Sequence, residues 1–143
     1  MAKSRPFFYL SGEQSLLVTF YDGTVPAGFP SPAADYEARE LDLVEHLIRN
    51  RAATFLMRAV GHSMQDAGIF DGDLLIVDRS VAPRSGSIVV VAVDGEYTVK
   101  RLKCERGLVW LEAANPDYPH IYFSAEAQVH VFGVVLHAIH TLV

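Results

Sequence analysis

Beyond Thr54 the chain is divided into short β-rich runs by turn-forming residues, and this limits the fold more than any other feature of the sequence. The runs are Thr54–Val60, Asp73–Asp78, Ser87–Val93, Glu96–Lys103, Leu108–Glu112, His120–Phe123 and Val129–His140. Between two of them stands Asp94-Gly95, the pair that a type I′ turn favours because both of its central residues need positive φ. Leu74–Val77 and Ile88–Val93 are continuously apolar, which predicts strands covered on both faces. Gly133 interrupts the last run and marks an expected bulge. The expectation is a compact, mostly β domain of antiparallel strands.

Only one helix is expected in front of it. Leu43, Val44, Leu47 and Ile48 recur at helical spacing between Asp42 and Asn50, and a start as early as Ala34 stays open. Asp42 can cap the first turn, and Arg49 and Arg51 suit the last. Upstream, Tyr21–Pro32 contains Gly23, Pro26, Gly28, Pro30 and Pro32. Proline fixes φ and lacks an N–H for ladders, so an extended connector is expected between an N-terminal arm and the body.

At 143 residues the chain fits one domain that can bury a core without disulfide or metal staples. The single cysteine, Cys104, excludes an internal disulfide framework and suits a reducing, cytoplasmic setting. The net charge is −5. The first 27 residues carry Lys3 and Arg5 against Glu13 and Asp22, so the whole negative balance belongs to the body. Nucleic-acid affinity rests largely on neutralising phosphates, so a general nucleic-acid binder is disfavoured. Val129–Val143 is apolar but shorter than the roughly 20 residues that a membrane helix needs. A buried or interface strand is the expectation there, and part of it is a candidate dimer surface.

Three features carry possible chemistry. Ser63, in Gly61-His62-Ser63-Met64, follows the end of a strand beside a glycine, where it can be a nucleophile or simply cap a turn before Gln65–Ile69. A serine hydroxyl needs a base. No histidine stands in a triad context, and His62 is expected to diverge from its neighbour. His137 and His140, three apart in a strand, fall on opposite faces, so no metal site is expected. A lysine can replace histidine when burial lowers its pKa. Strand alternation puts Lys100 with Thr98 and Leu102 on the less basic face of its strand, the one better suited to turn inward, although the pattern alone favours an ordinary solvated strand lysine. The third feature is Val25-Pro26-Ala27-Gly28, with small apolar side chains before a sterically open glycine.

In combination these features resemble the LexA/UmuD family of S24-like self-cleaving serine peptidases, most closely its UmuD and MucA branch. The resemblance runs from about Ala27 to Val135. It rests on Ala27-Gly28-Phe29-Pro30-Ser31-Pro32-Ala33-Ala34-Asp35-Tyr36, on Gly61-His62-Ser63-Met64 and on Asp71-Gly72-Asp73-Leu74-Leu75-Ile76-Val77-Asp78. Asp94-Gly95-Glu96-Tyr97-Thr98-Val99-Lys100-Arg101 and Phe132-Gly133-Val134-Val135 complete it. His62 departs from the small or acidic residue that UmuD-type sequences often carry there.

The resemblance implies Ser63 as nucleophile, unprotonated Lys100 as general base and Ala27–Gly28 as the scissile bond. No cofactor is implied. Cleavage would divide the chain into an arm, 1–27, and a β-rich peptidase-like domain, 28–143. It further implies self-cleavage stimulated by the RecA–single-stranded DNA filament in the SOS response. The processed form would be a homodimer that serves a Y-family, UmuC-like polymerase subunit in translesion synthesis. Two other classes remain in view. A LexA-like or phage-type repressor needs a helix-turn-helix head, for which residues 1–26, with Pro6, Gly12, Gly23 and Pro26, are too few. A non-catalytic interaction module with the same fold is opposed by the presence of both Ser63 and Lys100. A signal peptidase, with the same Ser/Lys chemistry, is expected to carry a membrane anchor.

Overall fold

The structure, a computed structural model, describes residues 7–9, 14–30, 37–123 and 128–143. It has ten strands among these residues: β1 (Phe7–Tyr9), β2 (Leu17–Tyr21), β3 (Ala38–Asp42), β4 (Thr54–Arg58), β5 (Leu74–Asp78), β6 (Ile88–Val93), β7 (Glu96–Glu105), β8 (Leu108–Glu112), β9 (Ile121–Tyr122) and β10 (Val129–Ile139). Eight form one sheet in the order β1-β4-β5-β10-β6-β7-β8-β9, while β2 and β3 pair separately. Every pairing is antiparallel. From β4 onward the strands match the runs read from the sequence, with limits shifted by a residue or two. No helix among the described residues is long and apolar enough to cross a membrane.

Alternation along the strands divides the core between the two faces of the sheet. Val90, Leu75 and Val77 pack with Met57, Met64 and Ile69 on one face, whereas Val89 and Val91 pack with Leu111 and Val134 on the other. This double covering is why β5 and β6 read as unbroken apolar runs. Between β6 and β7, Asp94 (φ 49°) and Gly95 (φ 84°) both adopt positive φ, as the I′ hairpin requires.

The last strand sits in the middle of the sheet. β10 pairs with β5 along one edge and β6 along the other, so the backbone ends of both halves of the sheet are joined by residues near the C-terminus. This accounts for much of the apolar character of Val129–Val143, although Ile139, Leu142 and Val143 stay exposed. The register of β10 on β6 shifts between Val131 and Gly133, which is the expected bulge. At Gly133 a Cβ would lie 2.7 Å from Val77 Cγ1 and 3.1 Å from the Asp78 carbonyl oxygen. Only glycine lets β10 approach β5 this closely.

Two expectations need correction. The helix covers only Leu43–Leu47, not Asp42–Asn50, because Ile48 leaves helical geometry (φ −120°, ψ 113°). An earlier start is excluded at 38–42, which pair with Leu17–Tyr21 as β3; Ala34 lies outside the described residues. Asp42 does cap the helix, accepting from the Val44 and Glu45 N–H groups through Oδ1, which also accepts from Leu16. The N-terminal part also holds strands that the sequence reading did not include. Phe7–Tyr9 adds to the outer edge of β4, opposite Met57, Leu56 and Phe55. None of β1, β2 and β3 was legible in advance, since each is stabilised by a partner distant in sequence rather than by its own pattern.

Substituting Gly133→Ala should destabilise the fold by about 1–3 kcal/mol through overpacking against β5. Urea unfolding of the two proteins measures this, and an unchanged midpoint would show that the bulge has room for a methyl group.

Candidate active site

The turn after β4 presents Ser63. Gly61 has φ +92°, a backbone region that side-chain-bearing residues rarely adopt, and its N–H donates to Asp71 Oδ1 at 2.7 Å. Immediately after the serine, Met64 (3% exposed) and Ile69 (4% exposed) are driven into the core. Burial of these two apolar side chains anchors a loop that would otherwise be mobile, and Ser63 is left half-exposed between them and the glycine. The 3₁₀ turn that follows, Gln65–Ala67, starts from Met64 and has no side-chain cap. Ser63 is therefore not a capping serine.

Lys100 comes from β7, which β5, β10 and β6 separate from β4 in the sheet. It lies opposite Val89 of β6, and it turns inward instead of being solvated: the residue is only 8% exposed. Its Nζ is 3.0 Å from Ser63 Oγ, 2.8 Å from Thr98 Oγ1 and 3.0 Å from the Val99 carbonyl oxygen. Burial pushes the Lys100 pKa down from its ordinary value, because an ammonium loses hydration there with no carboxylate to replace it.

These three contacts fit the three N–H donors of an ammonium, and the neutral amine can meet them equally well. Two N–H bonds can donate to Thr98 Oγ1 and the Val99 carbonyl, which leaves the nitrogen lone pair to accept the Ser63 O–H. The arrangement can therefore take a proton from the serine hydroxyl, and the depressed pKa makes the accepting form accessible. Thr98 was placed on the Lys100 face by alternation, but its contact with the amine could not be read from spacing alone.

A cavity of about 240 Å³ opens beside Ser63, walled by Met57, Ala59, Met64, Leu75 and Val99 among others. Its apolar walls and limited size suit small aliphatic side chains. Ala27 and Gly28 do not line it. They lie in the connection between β2 and β3, and every residue from Tyr21 to Pro30 is exposed. The structure thus brings Ser63 and Lys100 together and leaves the Ala27–Gly28 segment accessible at the surface.

The histidines take no part in this contact. His62 is exposed, and His140 reaches from the C-terminal end to Asp73, with Nδ1 2.6 Å from Oδ1. Among the described residues no group of three or more His, Cys, Asp or Glu side chains is arranged to hold a metal ion. Also missed from sequence was Asn115, whose side-chain amide donates to the His62 carbonyl at 2.8 Å. Asn115-Pro116 is a turn-favouring pair, but such a pair does not say which loop it will face.

The sequence matches the family description Peptidase S24-like over residues 19–136. It is 49% identical over 115 residues to Protein SamA of Salmonella typhimurium, covering 80% of this chain and 79% of that protein. Protein ImpA of Escherichia coli is 44% identical over 131 residues, covering 91% of this chain and 88% of its own length. Protein MucA of Escherichia coli is 44% identical over 123 residues, covering 85% and 84% respectively.

The buried amine should be visible in stability as well as chemistry. With its pKa lowered in the folded state, the unfolded chain holds the lysine proton more tightly, so ν of the unfolded state exceeds that of the native state and stability rises with pH. The penalty is fully present below the folded pKa and disappears as pH rises through the ordinary lysine value. In a Ser63→Ala background the wild-type lysine should gain stability relative to Lys100→Met between pH 7 and pH 10. Urea unfolding at both pH values tests it, and a constant difference would mean that the amine is not desolvated.

Proposed function

We propose, from the premise that this chain belongs to the Peptidase S24-like family, that Ser63 and Lys100 form a catalytic dyad cutting the chain's own Ala27–Gly28 bond. The protein is a UmuD-like serine peptidase that acts on itself. The observation that carries the residue assignment is the 3.0 Å contact between Lys100 Nζ and Ser63 Oγ at a buried amine.

In this mechanism the neutral Lys100 Nζ takes the Ser63 hydroxyl proton as Oγ attacks the Ala27 carbonyl carbon. The tetrahedral oxyanion is held by backbone N–H groups of the Ser63 turn. Its collapse breaks the C–N bond, and Lys100 returns the proton to the Gly28 amine. An ester joins Ala27 to Ser63. Water then attacks the ester carbonyl, with Lys100 again accepting a proton, and releases the Ala27 carboxylate and the serine hydroxyl.

Drawn out as an extended strand, Val25 and Ala27 would project to the same side, and both are small enough for the apolar cavity beside Ser63. The exposed segment must move into that cavity, either from the same chain or from a second copy. Tethering gives it a high effective concentration, so a weakly binding sequence is sufficient. Scission separates residues 1–27 from 28–143 and opens the β2–β3 connection.

The wider role is SOS mutagenesis, supported by similarity to SamA, ImpA and MucA. In this reading the RecA–single-stranded DNA filament stimulates cleavage, and the processed body, as a homodimer in the cytoplasm, serves a UmuC-like Y-family polymerase. The body retains the whole −5 charge, so its action at damaged DNA runs through protein partners rather than direct phosphate contacts.

Incubation of the purified chain at pH 10 should yield fragments whose masses place the break between Ala27 and Gly28. The rate should rise with pH as Lys100 loses its proton and should level off below the ordinary lysine pKa. Ser63→Ala and Lys100→Ala should each lower the rate by about 10³-fold or more. A break elsewhere, or cleavage that persists in either variant, overturns the dyad. Sedimentation of the 28–143 form at micromolar concentration should give a dimer; a monomer there would remove that part of the reading.

A further inference from the structure

An oxyanion can be stabilised only by donors that are not already committed and that are aimed at the reacting carbon before the reaction begins. Among the described residues, the Ser63 and Met64 N–H groups donate to no protein acceptor, whereas the carbonyl groups of the same two peptide units are both engaged. The His62 carbonyl, whose peptide carries the Ser63 N–H, accepts from Asn115 Nδ2 at 2.8 Å and from the Gln65 N–H at 3.3 Å. The Ser63 carbonyl, whose peptide carries the Met64 N–H, accepts from the Ala114 N–H at 2.8 Å. In a trans peptide the N–H points opposite to the C=O. Fastening each carbonyl to the 114–115 segment therefore turns the two N–H groups away from that segment.

The segment that holds them is itself rigid. Ala114 is buried in the same cluster as Met64, and its carbonyl accepts from the Asp66 N–H at 2.7 Å. Asn115 is followed by Pro116, and its Oδ1 accepts from the Asp117 N–H at 3.0 Å while its carbonyl accepts from Tyr118 at 3.1 Å. These bonds use one end of the amide to hold its own turn and the other end to grip the serine loop. The grip crosses 53 positions of sequence.

We propose that Asn115 is a positioning residue for self-cleavage, which acts through the His62–Ser63 peptide to aim the backbone N–H groups that receive the oxyanion. This deepens the dyad reading and rests on it. Asn115 touches neither Ser63 Oγ nor Lys100 Nζ, so it governs the rate at which a committed nucleophile reacts and not the protonation of the base.

The test compares full-length wild type, Asn115→Ala and Asn115→Asp across pH 7 to 10. Asp keeps the oxygen that holds the Asp117 N–H but replaces the donor to His62 with a second oxygen. Both variants should cleave about 10- to 100-fold more slowly at the alkaline plateau, as small misplacements of a reacting group do. Asn115→Ala should keep the wild-type pH midpoint, because it places no charge near Lys100, whereas the added carboxylate of Asn115→Asp moves the midpoint upward whatever the role of the residue. Asn115→Asp cleaving as fast as wild type would overturn the proposal, since the turn alone would then be what matters. A shifted midpoint in Asn115→Ala would overturn it by assigning the residue to the base. Loss of the cooperative thermal transition in both variants would also overturn it, making the contact one of folding. Failure of wild type itself to cut at Ala27–Gly28, or cutting that survives Ser63→Ala, instead removes the dyad reading beneath it.

Discussion

The contact on which the site depends is an unpaired lysine amine held against a serine hydroxyl. An ammonium in water is well solvated and useless as a base near neutral pH. Burial between two covered strands makes that form costly, and with no carboxylate placed to compensate it, the pKa falls. Thr98 Oγ1 and the Val99 carbonyl can accept two hydrogens of the neutral amine, which leaves its lone pair for Ser63. In the proposed mechanism the fold makes a common surface residue a proton acceptor by subtraction of water rather than by addition of charge.

Holding the serine at that point takes several unrelated pieces of chain. Gly61 supplies the positive-φ turn, Asp71 receives its N–H, and Met64 and Ile69 fix the loop by burial. The 114–115 segment closes on the loop from behind. These constraints act on different atoms of one short stretch, and together they limit its movement without engaging the two N–H groups that face away.

The Ser63–Lys100 contact is therefore formed while the proposed substrate segment lies outside the cavity. Ala27–Gly28 lies in an exposed connection between paired strands, outside the apolar cavity beside Ser63. Separation of a finished site from its own tethered substrate suits a reaction that happens once. The chemistry can be ready while the rate is set by presentation, and an external partner can act on presentation alone. The β1 strand adds to the edge of β4, so the arm is joined to the body at more than the proposed point of scission.

The strands from β4 to β10, the Asp94-Gly95 hairpin, the Gly133 bulge and the face of its strand that Lys100 shares with Thr98 were all legible in the order of residues. Each is governed by local rules: alternation, turn φ requirements and the absence of a glycine side chain. The helix was read as too long, and β1 to β3 were not read, because pairing with distant segments overrode local preference there. The sequence by itself determined which residue types were available for serine–lysine chemistry and that a β-rich body would carry them. Only the tertiary structure decided that β10 would enter the middle of the sheet, that Thr98 and Val99 would hold the amine, and that Asn115 would meet His62. These are contacts across long stretches of chain, and their geometry exists only after packing has chosen which surfaces face each other.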